Sequence, residues 1–384
     1  WWSHPTLHSI ALGILVAYAL ILLPNAGVTQ TRVTPVGVDK VVLEPRAQTM
    51  PVIGRFIAPE SGIVASRIAE RVTTLDLISD GRVEFGMGES GSLTELAPFD
   101  RTIPEKREVW EDAVRAIMPM FEDGGFEYYG PHFKFPLRNV LPKPVQKPHP
   151  PLWVACSQLQ TGMAGRRGMG ALGFQFISAD VAHAWVHAYY NSYTKRMDKL
   201  TNYMINPNMV LVSYFMCAET DEEARRRADG IPFFQFALKF YSADRLGEGR
   251  DRPPPGTVDL WAEYEAWKKA NPEGHAKAIS GGLIGSPETI RNRLRKYSSS
   301  HVDRIIPLNQ AGKNSHEHIC ESRELFGKEV MPEFQEMEPE HQEWKRQVLE
   351  GEIELEEPDT DPYQSRFSEN SVQLDPVTTA EAGD

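Results

Sequence analysis

From residue 51 onward, short apolar runs alternate with segments whose apolar residues recur at helical spacing. "MPVIGRFIAP" reads as a short strand, and "SRIAERVTTLDLIS" comes after it with Ile68, Val72 and Leu75 on one face. Arg67, Glu70 and Arg71 occupy the other faces. "DG" at 80–81 is a turn, and "RVEFGMG" is the next strand. Pro104 suits the first turn of a helix reaching about Phe121, with Val109, Ala113, Ile117 and Met120 recurring on one side. "FEYYGPHFKF" alternates and turns like a hairpin.

A proline-dense stretch, "LPKPVQKPHPP", then leads into the apolar strand "LWVACS". Such a stretch cannot sit inside a helix or a central strand, and it stiffens the approach to the strand it delivers. The pattern continues with a helical "QTGMAGRRG", a strand "ALGFQFIS" and a strand "MVLVSYFMCA". Thr220 and Glu223 open the next helix as a capping box. Residues 245–280 read as a polar surface excursion. "GLIG" is a strand end, and Ser286 caps a helix with Pro287 at its first position. "VDRIIPLNQAG" is the final strand and "SHEHICESRELFGKEVMPEF" the final helix.

Strands alternating with helices imply parallel pairing with crossover helices, an α/β chain of the TIM-type (β/α)8 barrel with insertions. About six strand–helix units come after residue 50, so the first two of eight lie in residues 1–50 or are missing, and the barrel is read as incomplete at its N-terminus. Residues 1–50 are irregular, with one apolar run at 10–23, "IALGILVAYALILL". That run is shorter than the ~20 residues a membrane span needs, and the basic start of a signal peptide is missing, so a buried strand or core helix is the preferred reading. The barrel domain is read as 51–337, and residues 338–384 as an acidic, disordered tail.

Charge sharpens that division. The 384 residues carry a net charge of −12. Residues 338–384 hold 14 acidic against 3 basic residues, a net of −11, so the remaining 337 residues sum to about −1. No clustered basic face suggests a nucleic-acid partner. Cys156, Cys217 and Cys320 are far apart and form neither a disulfide framework nor a zinc spacing, which fits a reducing, cytoplasmic setting. The 11 histidines contain no metal signature, and no metal is expected.

In a barrel of this kind the chemistry sits at the carboxyl ends of the strands. "GMGESGS" stands after one strand, where glycines such as Gly88 allow close backbone approach, or simply make a turn. Ala155, Cys156 and Ser157 end another, before Gln160 and Thr161. A small hydroxyl residue and free amides at a helix start make an anion site, although an ordinary N-cap explains Ser157 equally well. Cys156 reads as a packing cysteine. Asn309, Gln310 and Gly312 end the last strand. With no nucleophile elbow, phosphate loop or dinucleotide fingerprint, the chemistry is expected to come from a cofactor.

"RIAERVTTLDLISDGRVEFGMGES", "VLPKPVQKPHPPLWVACS", "GLIGSPETIRNRLRKYSSSHVDRIIPLNQAG" and "ESRELFGKEVMPEF" together resemble the bacterial-luciferase-like flavin-dependent monooxygenases over roughly residues 50–337. The resemblance implies reduced FMN at the strand ends, molecular oxygen, and a small organic substrate. It further implies a separate flavin reductase and a homodimer. A deazaflavin-dependent reductase or dehydrogenase on the same barrel is the alternative, as is a truncated, non-catalytic relative. Carried over, the FMN phosphate meets Ala155, Cys156, Ser157, Gln160 and Thr161, with Arg107 pairing to it and Gly88 and Ser90 alongside. Where the luciferases carry an arginine after the strand glycine, this sequence has Glu89. The histidine pair of many relatives is missing, and His4 and His8 are the catalytic candidates that remain.

Overall fold

The structure is a computed structural model, and it describes residues 63–90, 93–157, 160–173, 178–241, 256–309, 311–363, 372 and 374. The strand read at 51–60, the run at 10–23, Gln310, and His4 and His8 lie outside the described residues.

Helix α1 (Ile63–Ile78) precedes strand β1 (Phe85–Met87), helix α2 (Lys106–Ile117) and the hairpin β2 (Phe126–Tyr129) and β3 (Lys134–Arg138). Next come β4 (Leu152–Cys156), α3 (Thr161–Arg166), β5 (Gly170–Gly173), α4 (Ala182–Arg196) and β6 (Met209–Cys217). Four helices come next, α5 (Asp221–Arg227), α6 (Phe233–Phe240), α7 (Leu260–Ala270) and α8 (Pro272–Ser280). The chain continues through β7 (Leu283–Gly285), α9 (Pro287–Ser299), β8 (Arg304–Leu308), α10 (His316–Glu329) and α11 (Met331–Leu349).

Six of the strands form one sheet, paired throughout in parallel, in the order β1-β4-β5-β6. The long β6 then pairs through Val210–Tyr214 with β8 and through Phe215–Cys217 with β7. Parallel strands need crossovers, and each strand of this sheet hands on to a helix. Among the described residues, backbone hydrogen bonds do not close the sheet into a full ring.

The pleat sorts the strand residues onto two faces. Phe85, Met87, Leu152, Val154, Cys156, Ala171, Leu211 and Phe215 are buried together with Val114, Ile117, Phe121, Met163 and Tyr189 of the helix layer. On the opposite face Gly86, Gly88, Ala155, Leu172, Val212 and Ile306 are only half-buried. Low on that face, Trp153 packs where a Cβ on Gly170 would lie 2.3 Å from its ring, and the Arg304 guanidinium stands 5.7 Å from the ring centroid. On this face Trp153 and Val210 are buried near the strand starts and Tyr214 and Met216 toward the end of β6, while Gly88 and Ala155 are half-buried at the ends of β1 and β4.

The proline-dense lead-in is tied down along its length, first by Lys143 Nζ, which donates to Met120 O at 3.0 Å. Asp76 accepts from the Gln146 amide N–H at 2.9 Å and its side-chain amide at 2.8 Å. His149 is buried; its Nε2 accepts from the Met204 N–H at 3.0 Å, which leaves Nδ1 to donate to Pro150 O at 2.8 Å. The segment therefore delivers β4 in a set register beside β1.

The hairpin is held by Asp112 of α2, whose buried carboxylate accepts from the Tyr128 hydroxyl and from the His132 and Phe133 amides at 2.9 and 3.0 Å. Tyr128 is thereby committed to this anchor. Tyr128→Phe is expected to cost about 1.5 kcal/mol, a charge-assisted hydrogen bond, in urea unfolding.

Two stretches differ from the sequence reading. Residues 256–280 are not an unstructured surface excursion, because α7 and α8 bury Tyr264 and His275 among Phe233, Phe236, Trp261 and Trp267. The boundary at 337 also fails, because α11 runs to Leu349 with Lys345 and Val348 buried, and Leu355 and Val372 are buried beyond it. Trp344, Val348, Leu349 and Ile353 form an apolar stripe on the main core. The acidic residues that dominate the tail's composition lie outside that stripe, where Glu354 and Glu357 meet Lys195 and Arg196 of α4. No described helix is long and apolar enough to cross a membrane.

Candidate functional site

The parallel register Met87↔Val154 places the residues after β1 beside the last residues of β4. Gly88 continues the open face there: a Cβ on it would lie 3.4 Å from the Ala155 Cβ. Gly88 and Ala155 thus make a small-residue floor at the ends of β1 and β4, while the Leu172 side chain stands over Gly86, whose Cβ would lie 3.2 Å from Leu172 Cδ1.

Polar residues rim this floor. Glu89 comes directly after Gly88 with a side chain only 4% exposed. Its carboxylate receives a two-pronged pair from Arg107, Nε to Oε2 at 2.7 Å and Nη2 to Oε1 at 2.6 Å. Gln160 Nε2 also donates to Glu89 Oε1 at 2.7 Å, while Gln160 Oε1 accepts from the Ser157 N–H at 3.0 Å. Hydrogen bonding to Glu89, acting against burial, raises the Arg107 pKa further above its ordinary value. Arg107 remains about one-third exposed at 36%, so the cluster opens outward on its side.

Ser90 turns the chain with φ of 61°, a left-handed backbone rare for a residue with a side chain. Its hydroxyl donates to Glu95, and Lys106 Nζ donates to its carbonyl. The start of α2 is therefore sewn to the end of β1. Thr161 opens α3 and is fully buried. Cys156 points into the helix-side core, where burial, and then the Glu89 charge, push its thiol up to about 12. Only its backbone belongs to the strand end, and a thiol so raised is no nucleophile near neutral pH.

Gly88, Ser90, Arg107, Ala155, Ser157, Gln160 and Thr161 are brought to the adjoining ends of two neighbouring strands. Glu89 emerges as their hub. From sequence it is only a charge of the wrong sign beside an expected phosphate. Its partners stand 18 and 71 residues away, and no local signal links them.

A parallel sheet with crossover helices, and a cluster of small and polar residues at two neighbouring strand ends, defines an α/β protein with a candidate ligand site there. The family described as luciferase-like monooxygenase matches residues 65–304, and the chain belongs to it. The protein is thus a flavin-dependent oxidoreductase of the monooxygenase kind on a TIM-type barrel. It is 23% identical over 278 residues to the oxygenase component of flavin-dependent trigonelline monooxygenase from Acinetobacter baylyi, covering 70% of this chain and 72% of that protein. It is also 23% identical over 288 residues to the FMNH2-dependent dimethylsulfone monooxygenase of Pseudomonas putida, covering 71% of each. Among solved structures, the monooxygenase RslO1 of Streptomyces bottropensis superposes with a TM-score of 0.53 at 18% identity, over 70% of this chain and 74% of that one.

Proposed function

We propose that the protein is the oxygenase half of a two-component system. It takes reduced FMN from a separate reductase and uses molecular oxygen to oxidise a small organic substrate. The observation that carries this reading is the small-residue floor of Gly88 and Ala155, rimmed by Arg107, Gln160 and the Ser157 amide. The names of the Acinetobacter and Pseudomonas relatives, both flavin-using monooxygenases, support it.

Reduced FMN, when bound, supplies the two electrons by which one oxygen atom of O2 enters the substrate and the other leaves as water. The floor admits a planar ring, and backbone amides at its edge can meet the ring's polar margin. Arg107, Ser157 and Gln160 are the residues positioned to face the phosphate, whereas Thr161 is fully buried at the start of α3. The buried Trp153 ring closes the face from below, with the exposed Arg304 guanidinium against it.

Anaerobic titration with reduced FMN, monitored by flavin fluorescence, tests the reading. Native protein is expected to bind it, and Ala155→Leu, which fills the floor, is expected to weaken binding at least ~10-fold (about 1.4 kcal/mol) with little change in stability. Absence of binding by the native protein, or preference for a reduced deazaflavin, would overturn the proposal.

A further inference from the structure

We infer that Glu89 is a built-in competitor for the cofactor's phosphate, and that it makes this protein hold reduced FMN little more tightly than reduced riboflavin. The inference rests on the flavin reading of the site proposed above.

The geometry supplies the reason. The Arg107 fork and one Gln160 N–H, which an incoming phosphate would use, are already engaged by a carboxylate of this same chain. Arg107 spends Nε and Nη2 on Glu89 at 2.7 and 2.6 Å. Gln160 spends its amide N–H on the same carboxylate at 2.7 Å, and its carbonyl covers the Ser157 N–H at 3.0 Å. An arginine fork matches carboxylate and phosphate equally well, so the two anions compete for one seat. Glu89 competes from an advantageous position, because it is covalently tethered and its side chain is 4% exposed.

A phosphate that displaced it would leave a buried carboxylate without its pair. A phosphate that joined it would stand beside a like charge in a poorly solvated place. Either way the phosphate contributes little net affinity, and the flavin is held mainly through its ring. Weak anchoring of the tail suits a flavin that is taken up reduced and given back oxidised at every turnover. Glu89 acts here through Arg107 and Gln160 and is a positioning residue, not a catalytic one.

The test compares Kd values for reduced FMN and reduced riboflavin in native protein, Glu89→Gln and Glu89→Asp, measured anaerobically. Native protein is expected to bind the two flavins within about 3-fold of each other. Glu89→Gln keeps the shape and removes the charge, and is expected to bind FMN at least ~10-fold more tightly while riboflavin moves less than ~2-fold. Glu89→Asp keeps the charge and is expected to leave FMN weak. Should the glutamine variant fail to fold, Glu89→Ala serves the same comparison. The inference is overturned if native protein prefers FMN by a large factor, if the variant weakens FMN, or if both flavins tighten equally. Binding of neither flavin by any form would instead overturn the reading of the site itself, and the role of Glu89 with it.

Discussion

Asp303→Ala is expected to lower the unfolding free energy by about 3–5 kcal/mol, the largest single-residue effect anticipated in this protein, because it leaves a buried cation without its counter-charge. Asp303 lies just before β8 with a side chain 2% exposed. It accepts from the Tyr190 hydroxyl at 2.8 Å, His341 Nε2 at 3.0 Å, Lys345 Nζ at 3.0 Å and the Met209 amide at 2.6 Å. One carboxylate therefore joins α4, the start of β6, β8 and α11. Without it, Lys345 (itself buried) keeps, among the described residues, the Asn208 side chain at 2.6 Å. Urea unfolding monitored by circular dichroism measures the loss. A double change, Asp303→Leu with Lys345→Met, is expected to recover much of it, since both charges are then absent. A loss below ~1 kcal/mol for the alanine variant would show that the network holds nothing together.

The same groups set the pH dependence. Burial alone would raise the Asp303 carboxyl, but the His341 hydrogen bond, the Lys345 charge and the Met209 N–H outweigh it and hold it below its ordinary value of 3.8. A depressed carboxyl contributes stability that is fully present above the unfolded value and lost as pH falls through the folded one. The difference between native protein and Asp303→Ala should then stay level from pH 8 down to about 4 and shrink only below that. The native protein itself should weaken earlier. His149, His187 and His301 are each held below their ordinary value of 6.5, chiefly by burial. Below that value the unfolded chain binds protons that the folded one refuses, so stability falls as pH drops from about 6.5.

Gly165→Ala is the second large effect, expected at about 3 kcal/mol, near the top of the usual range for overpacking. A Cβ at Gly165 would lie 2.3 Å from the Tyr189 carbonyl oxygen and 3.1 Å from the Tyr193 nitrogen. Both are backbone atoms of α4 and cannot swing aside, so α3 and α4 must separate. Because α3 begins at Thr161, directly after Gln160, the same change is expected to loosen flavin binding as well as lower the denaturation midpoint. Gly162→Ala is the control. There a Cβ would meet the Ser192 hydroxyl at 3.1 Å, a side-chain tip that can rotate. It should change stability by less than ~1 kcal/mol, and a loss as large as that of Gly165→Ala would refute the steric argument.

Much of the fold is legible in the sequence because it is written locally. Ser286 accepts from the Thr289 N–H with Pro287 at the first helical position, and Thr220 accepts from the Glu223 N–H, although the Glu223 carboxylate of the expected capping box pairs with Arg226 and Arg227. Ile68 and, in β4, Leu152, Trp153, Val154 and Cys156 are buried where their spacing places them, while Leu75, read onto the same helix face as Ile68, is exposed. The tail past 337 reads wrongly from composition because a count of acidic residues does not register a stripe such as Trp344, Val348 and Ile353. Helices α7 and α8 escape a sequence reading for a similar reason: polar and proline residues mask Trp261, Tyr264 and His275, whose burial depends on α6 beneath them.

The alternation of strand and helix, the helix caps, and the set of small and polar residues bound for the strand ends are all properties of the linear chain. They are short-range matters of period, sterics and backbone hydrogen bonding. What those residues do with one another is settled in three dimensions. Packing set Glu89 between Arg107 and Gln160, and it gathered onto Asp303 partners from 38 to 113 residues away. Whether a charge is a liability or a keystone depends on what packing brings within 3 Å of it, and periodicity along the chain carries no information about that.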